Sequence, residues 1–276
     1  MTTAHNFKDG VSRFFSMRSF LRSSILSGLG TISRNEQRPF LRCVFCHYVF
    51  DDQIGAFEQH ILALRRLGTF VDTATCLDMV EGRRAINGSY FHLSFDDGFK
   101  NIVSNAAPLL QKHKVPALFF VPTSFIGASY EKVSDYCVRI AKYKNPIEMC
   151  SWDDLKCAMD RGIAIGSHTR THARFVDVSG DPERLRDELS GSRDDIERNL
   201  GVECSAISWP FGRLSDADEV SVDAIKEAGY RACFGAFRGA VRNDGCDPYM
   251  IPRHHFEAQW PVSHIRYFVT GHKETR

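Results

Sequence analysis

The chain has 276 residues, of which 43% are hydrophobic and 25% charged, enough for one large α/β domain or two small ones. A formal charge of +1 supplies no global field for nucleic acid, and no run approaches the ~20 apolar residues of a membrane span. The nine cysteines are odd in number and scattered, several in apolar runs (Cys43, Cys46, Cys137, Cys233), which speaks for reduced thiols in a reducing compartment and against a disulfide framework.

Residues 1–39 read as an appendage. Val11, Phe14, Phe15, Phe20, Leu21, Ile25 and Leu29 approximate a helical stripe interleaved with Arg13, Arg18 and Arg22. The pattern suits a helix packed on the body of the protein, or a basic amphipathic helix over residues 8–30 that touches an anionic membrane surface. It lacks the continuous apolar core and cleavage site of a secretory signal, so a cytoplasmic, or membrane-peripheral, location is expected. Residues 40–276 form the second unit.

From Leu41 onward short apolar strands alternate with helical patterns. Strands are expected at Arg42–Val49, Phe70–Val71, Tyr90–Phe95, Val115–Pro122, Ile163–Ser167, Ala206–Trp209, Arg231–Phe234 and Tyr249–Ile251. Helices are expected at Phe57–Leu67, Cys76–Val80, Ile102–His113, Trp152–Arg161, Pro182–Leu200, Asp216–Ala228 and Pro261–Val269. Ser151 is placed to cap one of them, and Gly68, Gly162, Gly201 and Gly229 to end four. Residues 123–150 read as loops around one helix. Seven or eight buried parallel strands suit an α/β fold of the (β/α)7-8 barrel type, closed or nearly closed, whose functional groups gather at the C-terminal strand ends.

Three strand ends carry chemistry. His92-Leu93-Ser94-Phe95-Asp96-Asp97-Gly98 finishes a strand on two adjacent carboxylates, which repel unless a cation lies close. Gly166-Ser167-His168-Thr169-Arg170-Thr171-His172 sets two imidazoles four residues apart, the spacing of one helical turn and of two nitrogens on one divalent metal. Ser208-Trp209-Pro210-Phe211-Gly212-Arg213 reads as a rigid turn whose Phe211 N–H could face an oxyanion, with Trp209 offering a flat face to a sugar ring. Cys43-x-x-Cys46 is a weak metal signal, since residues three apart on a strand face opposite sides.

These runs, in this order, resemble the first three motifs of the polysaccharide deacetylases, carbohydrate esterase family 4, also described as the nodulation-deacetylase homology domain. The resemblance covers roughly residues 42–256 and implies a deformed (β/α) barrel as a single catalytic domain. It implies removal of an N-acyl group, acetyl or formyl, from an amino sugar by attack of metal-activated water. Asp97, His168 and His172 would hold one divalent ion, zinc by donor type, although nickel, cobalt and iron accept the same set. Asp96 would be the base, and Trp209, Pro210 and Phe211 would border the substrate. Ser208 stands where the family often has an arginine that orients the base; Arg253, or Arg213, would replace it. The family's late acid-supplying histidine motif is not visible, which leaves His47, His254 and His255 as candidates, His254 being the one expected to border the substrate. The substrate suggested is an N-acylated surface-polysaccharide precursor, nucleotide- or lipid-linked. The alternatives are a carbohydrate-binding barrel without catalysis and a metal-dependent amidase for a non-sugar molecule.

Overall fold

The computed structural model of the protein describes residues 38–271 and residue 274. The expected N-terminal helix over residues 8–30 lies outside them.

Among the described residues there are eight strands: β1 (Phe40–Cys46), β2 (Thr69–Phe70), β3 (Ser89–Phe95), β4 (Ala117–Val121), β5 (Ile163–Ser167), β6 (Ala206–Ser208), β7 (Ala232–Phe234) and β8 (Arg253–His255). Seven of them follow the order β7-β6-β5-β4-β3-β1-β8, and β2 pairs beside them on β3. Every strand pairing is parallel. A parallel bridge between Phe234 and Ile251 brings the two ends of the sheet together, so the barrel is nearly closed. The expected α/β barrel is therefore observed, with all C-terminal strand ends on one rim.

Strand alternation divides the core. Phe91, Leu93 and Phe95 of β3 pack outward with Phe57, Ile61 and Leu64 of helix α1 (Ile54–Leu67). Leu41, Cys43, Leu118, Phe120, Ala206, Ala232 and Phe234 form a second cluster in the lumen, joined by Cys76 and Leu77 of α2 (Thr73–Val80). Gly166 of β5 is required by this packing, because a Cβ there would stand 2.9 Å from the Ala206 carbonyl oxygen.

The remaining helices are α3 (Ala107–His113), α4 (Tyr130–Asp135), α5 (Trp152–Met159), α6 (Pro182–Arg186), α7 (Ser192–Leu200), α8 (Glu219–Glu227) and α9 (Val262–Val269). Ser151 caps α5 as expected. Its Oγ accepts from Asp154 N at 3.1 Å, and Asp154 accepts in return from Ser151 N at 2.9 Å. The helix expected to start at Asp216 starts at Glu219, because Asp218 accepts from Ser221 N at 2.8 Å and sets the cap there. The two long helices are widened by single π turns at Ile102–Ala106 and Asp187–Gly191.

One strand moves. The sequence pattern predicts the last strand at Tyr249–Ile251, but Ile251 makes only the bridge to Phe234, and β8 is Arg253–His255, in register with Cys43–Phe45. A run of Arg-His-His does not read as a buried strand. It is one here because the lumen supplies partners for its charge.

Candidate active site

The site lies on the C-terminal rim, in a cleft of about 310 Å³ bordered by His47, Asp96, Asp97, His168, His172 and Phe211, with Arg253 and His255 rising from β8. Asp97 follows β3 in the left-handed backbone region, φ 74°. That turn sends Asp97 and Asp96 to different tasks although they are neighbours.

Asp97 meets both imidazoles. Its Oδ1 lies 3.5 Å from His168 Nε2 and 3.3 Å from His172 Nε2. Donors about 2.0–2.1 Å from a tetrahedral ion stand about 3.3–3.4 Å apart, so the spacing fits a single divalent metal. Among the described residues these three form a buried group of metal-ligand type. The outer contacts agree. His168 Nδ1 donates to the Ser208 carbonyl at 2.8 Å, which turns Nε2 toward Asp97. Burial by itself raises the Asp97 carboxyl, but the two imidazoles override it and hold it well below the usual carboxylate range. Burial lowers His172, whereas at His168 the hydrogen bond and charges of Asp97 and Asp96 overcome burial and raise it.

The geometry differs from the expected helical turn. Residues 168–172 form a loop in which Thr169 (φ 62°) and His172 (φ 60°) are left-handed. The loop is pinned by Glu188, which is buried in the π turn between α6 and α7 and accepts from Arg170 N at 3.0 Å and Thr171 N at 2.8 Å, and also from the Thr171 hydroxyl. From the other side, Thr123 N and Ser124 N donate to the Thr169 and Arg170 carbonyls.

Asp96 is gripped by Arg253. Nη1 and Nη2 donate to its two oxygens at 2.8 Å each. The other donors of the guanidinium reach Gly235 O (2.7 Å), Ser94 Oγ (3.1 Å) and Ser208 Oγ (2.6 Å), so all five N–H groups are used. The face of the group lies on Phe45, 4.1 Å from the ring centre. Burial alone would raise Asp96, but Arg253 holds it below the ordinary carboxylate value. Arg253 rather than Arg213 is the arginine that holds Asp96. Ser208 is the small residue that lets a guanidinium from β8 reach across.

Several expectations need correction. Trp209 borders the cleft but is 1% exposed, stacked on Phe237 (ring centres 6.0 Å apart, 25° between planes), so its face is not offered to a sugar. Pro210 is buried and does not border the cleft. His254 points to the other side of β8, where Nε2 lies 2.9 Å from the Gly239 carbonyl and 3.1 Å from Arg42 Nη1. Neighbours on a strand face opposite sides, so Arg253 and His255 enter the cleft and His254 cannot. Phe211 does reach the site. It is left-handed (φ 65°), it is exposed, and its N–H has no hydrogen-bond partner among the described residues.

Two residues were not anticipated. Tyr136 OH donates to Asp97 Oδ1 at 2.9 Å and Tyr143 OH to Oδ2 at 2.5 Å. Both come from residues 123–150, where no periodicity marked them. Glu188 was equally hidden within a charged helix. A glutamate on the buried side of that helix was the one available signal.

A family model described as polysaccharide deacetylase matches residues 84–233. The poly-beta-1,6-N-acetyl-D-glucosamine N-deacetylase of Staphylococcus aureus is 27% identical over 169 residues, 58% of this chain and 52% of that protein. The chain spans about half the length of the curated relatives it matches, 46% and 52% for two of them. Among solved structures, IcaB from Ammonifex degensii superposes with a TM-score of 0.70 at 20% identity, covering 86% of this chain and 100% of that one. The Streptococcus pyogenes deacetylase PplD in complex with acetate gives 0.66 at 14% identity, covering 86% and 99%. At these identities the structures speak for the fold alone. The matched segment holds Asp96, Asp97, His168, His172 and the Trp209-Pro210-Phe211-Gly212 turn, more than half of the sequence, and on that ground the chain belongs to the polysaccharide deacetylase family.

Proposed function

We propose that the protein is a metal-dependent N-deacetylase acting on a polymer or oligomer of N-acetylated hexosamine. The observation that carries this reading is the pairing of Asp96, held on both oxygens by Arg253, with the Asp97, His168 and His172 group across one cleft.

A divalent ion bound by those three residues would polarise the amide carbonyl and lower the pKa of water. Tyr136 and Tyr143 hold Asp97 in place, and the Ser208 carbonyl fixes the tautomer of His168. Asp96 keeps a second lone pair on each oxygen beyond those taken by Arg253, and accepts the proton of the attacking water. The unpartnered Phe211 N–H faces the charge that develops on the carbonyl oxygen. The leaving amine then needs a proton. His47 and His255 stand together at the cleft, ring centres 5.1 Å apart. Burial and the neighbouring His47 push His255 down to about 3, so it is neutral near pH 7. We assign proton delivery to His47, with His255 as the group packed beside it.

The Staphylococcus aureus relatives are named for poly-beta-1,6-N-acetyl-D-glucosamine, which makes β-1,6-linked N-acetylglucosamine oligomers the first substrates to try. Released acetate is measured with zinc- or cobalt-loaded protein against an Asp96→Asn control. Turnover in the wild type and its loss in the control supports the reading. Saccharide binding with no acetate above the control would replace it with a carbohydrate-binding barrel.

A further inference from the structure

The barrel lumen holds a second group of ligand-type side chains, below the Arg253–Asp96 pair. Cys43 of β1, His92 of β3 and Cys76 of α2 are all 0% exposed. Each offers a ligand atom, and these atoms lie within 4.8 Å of one another. The parallel register of β1 and β3 sets Cys43 beside His92, and α2 brings Cys76 over them.

Two features separate this group from thiols that merely fill space. The Cys43 and Cys76 sulfurs are 4.0 Å apart. A disulfide needs about 2.0 Å, whereas two thiolates each about 2.3 Å from a tetrahedral ion stand about 3.8 Å apart. The second feature is the imidazole. His92 Nε2 lies 3.2 Å from Thr73 Oγ1, which can accept its N–H. The other nitrogen, Nδ1, is buried without a hydrogen-bond partner. A metal-bound histidine divides its nitrogens in this way, one donating to an outer oxygen and the other on the ion. The ring is held in plane by stacking on Phe234, 5.6 Å away and tilted by 24°.

We propose that Cys43, Cys76 and His92 form a second, structural site for zinc, completed by Cys246. Cys246 packs against the same lumen cluster from the connection between β7 and β8, outside the group of three, and its thiol would turn inward to supply the fourth donor. Three thiolates and one imidazole are a donor set that closes a tetrahedron around zinc and leaves no open position. A cavity of about 390 Å³, bordered by Thr73, Leu77 and Leu118, lies at the end of the barrel opposite the cleft, next to the helix that carries Cys76. The Cys43-x-x-Cys46 spacing is irrelevant to it, since Cys46 packs in the outer core.

The inference uses none of the residues of the proposed deacetylase centre, so the two can fail separately. The full chain is loaded with zinc or cobalt under reducing, oxygen-free conditions and desalted. Metal per chain is then measured in the wild type, in His168→Ala/His172→Ala and in Cys43→Ser/Cys76→Ser. The expected result is two equivalents in the wild type and one in each double variant. With cobalt, the wild type and the histidine variant show sulfur-to-metal charge-transfer absorption in the near ultraviolet, and the cysteine variant does not. X-ray absorption on the zinc-loaded histidine variant should find three sulfur neighbours and one nitrogen, and one sulfur fewer after Cys246→Ser. This arm needs no change at Cys43 or Cys76, and it decides the matter if the cysteine variant does not fold. A histidine variant that retains no metal overturns the proposal. So does a peptide mass showing Cys43 joined to Cys76 in the freshly isolated protein.

Discussion

The rim of the barrel and its floor are built from the same strands and differ in almost everything else. At the rim, β1 leads to His47, β3 to Asp96 and Asp97, and β8 supplies Arg253 and His255. Toward the floor, β1 presents Leu41 and Cys43, and Leu118, Ala206 and Ala232 line the lumen. Backbone strain follows the same division. Of the six non-glycine residues with positive φ among the described residues, Asp97, Thr169, His172 and Phe211 belong to the rim. Such conformations cost on the order of 1–3 kcal/mol each and persist only where the surroundings impose them. A strand cannot adopt them without losing its ladder, so the unusual backbone begins where the sheet ends. Charge is gathered at the rim because the loops there can bring a partner to each ionised group. Apart from Cys43, Cys76 and His92, the floor relies on burial.

Removing metal from the rim should have the largest effect. Chelation should abolish acetate release, and added zinc or cobalt should restore it, while His168→Ala should remain inactive on addition. Next is the base. Asp96→Asn should lower kcat/KM by about 10²- to 10⁴-fold, the usual range for a positioned general base. Arg253→Ala should lose activity and stability together. It leaves the Asp96 carboxylate buried without its cation, a change worth about 3–5 kcal/mol in a denaturant titration. If Arg253→Ala unfolds at the wild-type midpoint, the grip on Asp96 is not what the geometry implies.

Glu188→Ala tests whether the loop, and not only its ligands, is preorganised. Metal affinity should fall about 10- to 100-fold, as for other outer contacts of a metal site, with circular dichroism unchanged. A smaller effect is expected from Phe211→Ala. Its N–H survives the substitution, so KM should rise severalfold while kcat stays within about twofold. A large fall in kcat instead would mean that the ring, lying against Arg174 at 4.5 Å, positions the turn.

The last test concerns groups kept away from the rim. Burial and the Arg42 guanidinium push His254 down to about 3, and burial pushes His60 to about 4. In the unfolded chain both return to ordinary imidazoles near 6.5. Below that value the unfolded state takes up protons that the folded state refuses. Their stabilising contribution is therefore complete above about pH 6.5 and is lost as pH falls toward 3 to 4. Between pH 7.5 and 5.5 the unfolding free energy should drop by roughly 1 kcal/mol per histidine. A flat profile in urea titrations would contradict the burial of neutral rings.

The barrel class, most of its strands and the three rim motifs are legible in the amino-acid sequence alone. These rest on local signals: apolar runs, caps such as Ser151, and acids or histidines placed directly after strands. The resemblance also points to Arg253, which the structure places on Asp96. Tertiary structure decided the rest, because the remaining partners are distant in the chain and carry no pattern of their own. Tyr136 and Tyr143 reach Asp97 from some 40 residues away, in a stretch without periodicity. Glu188 looks like one more acid on a charged helix until the loop at 168–172 lies against it. The side of β8 on which His254 and His255 fall depends on a register that Pro252 and a polar run conceal. Periodicity reports which face of an element is buried; it does not report which other element that face will meet.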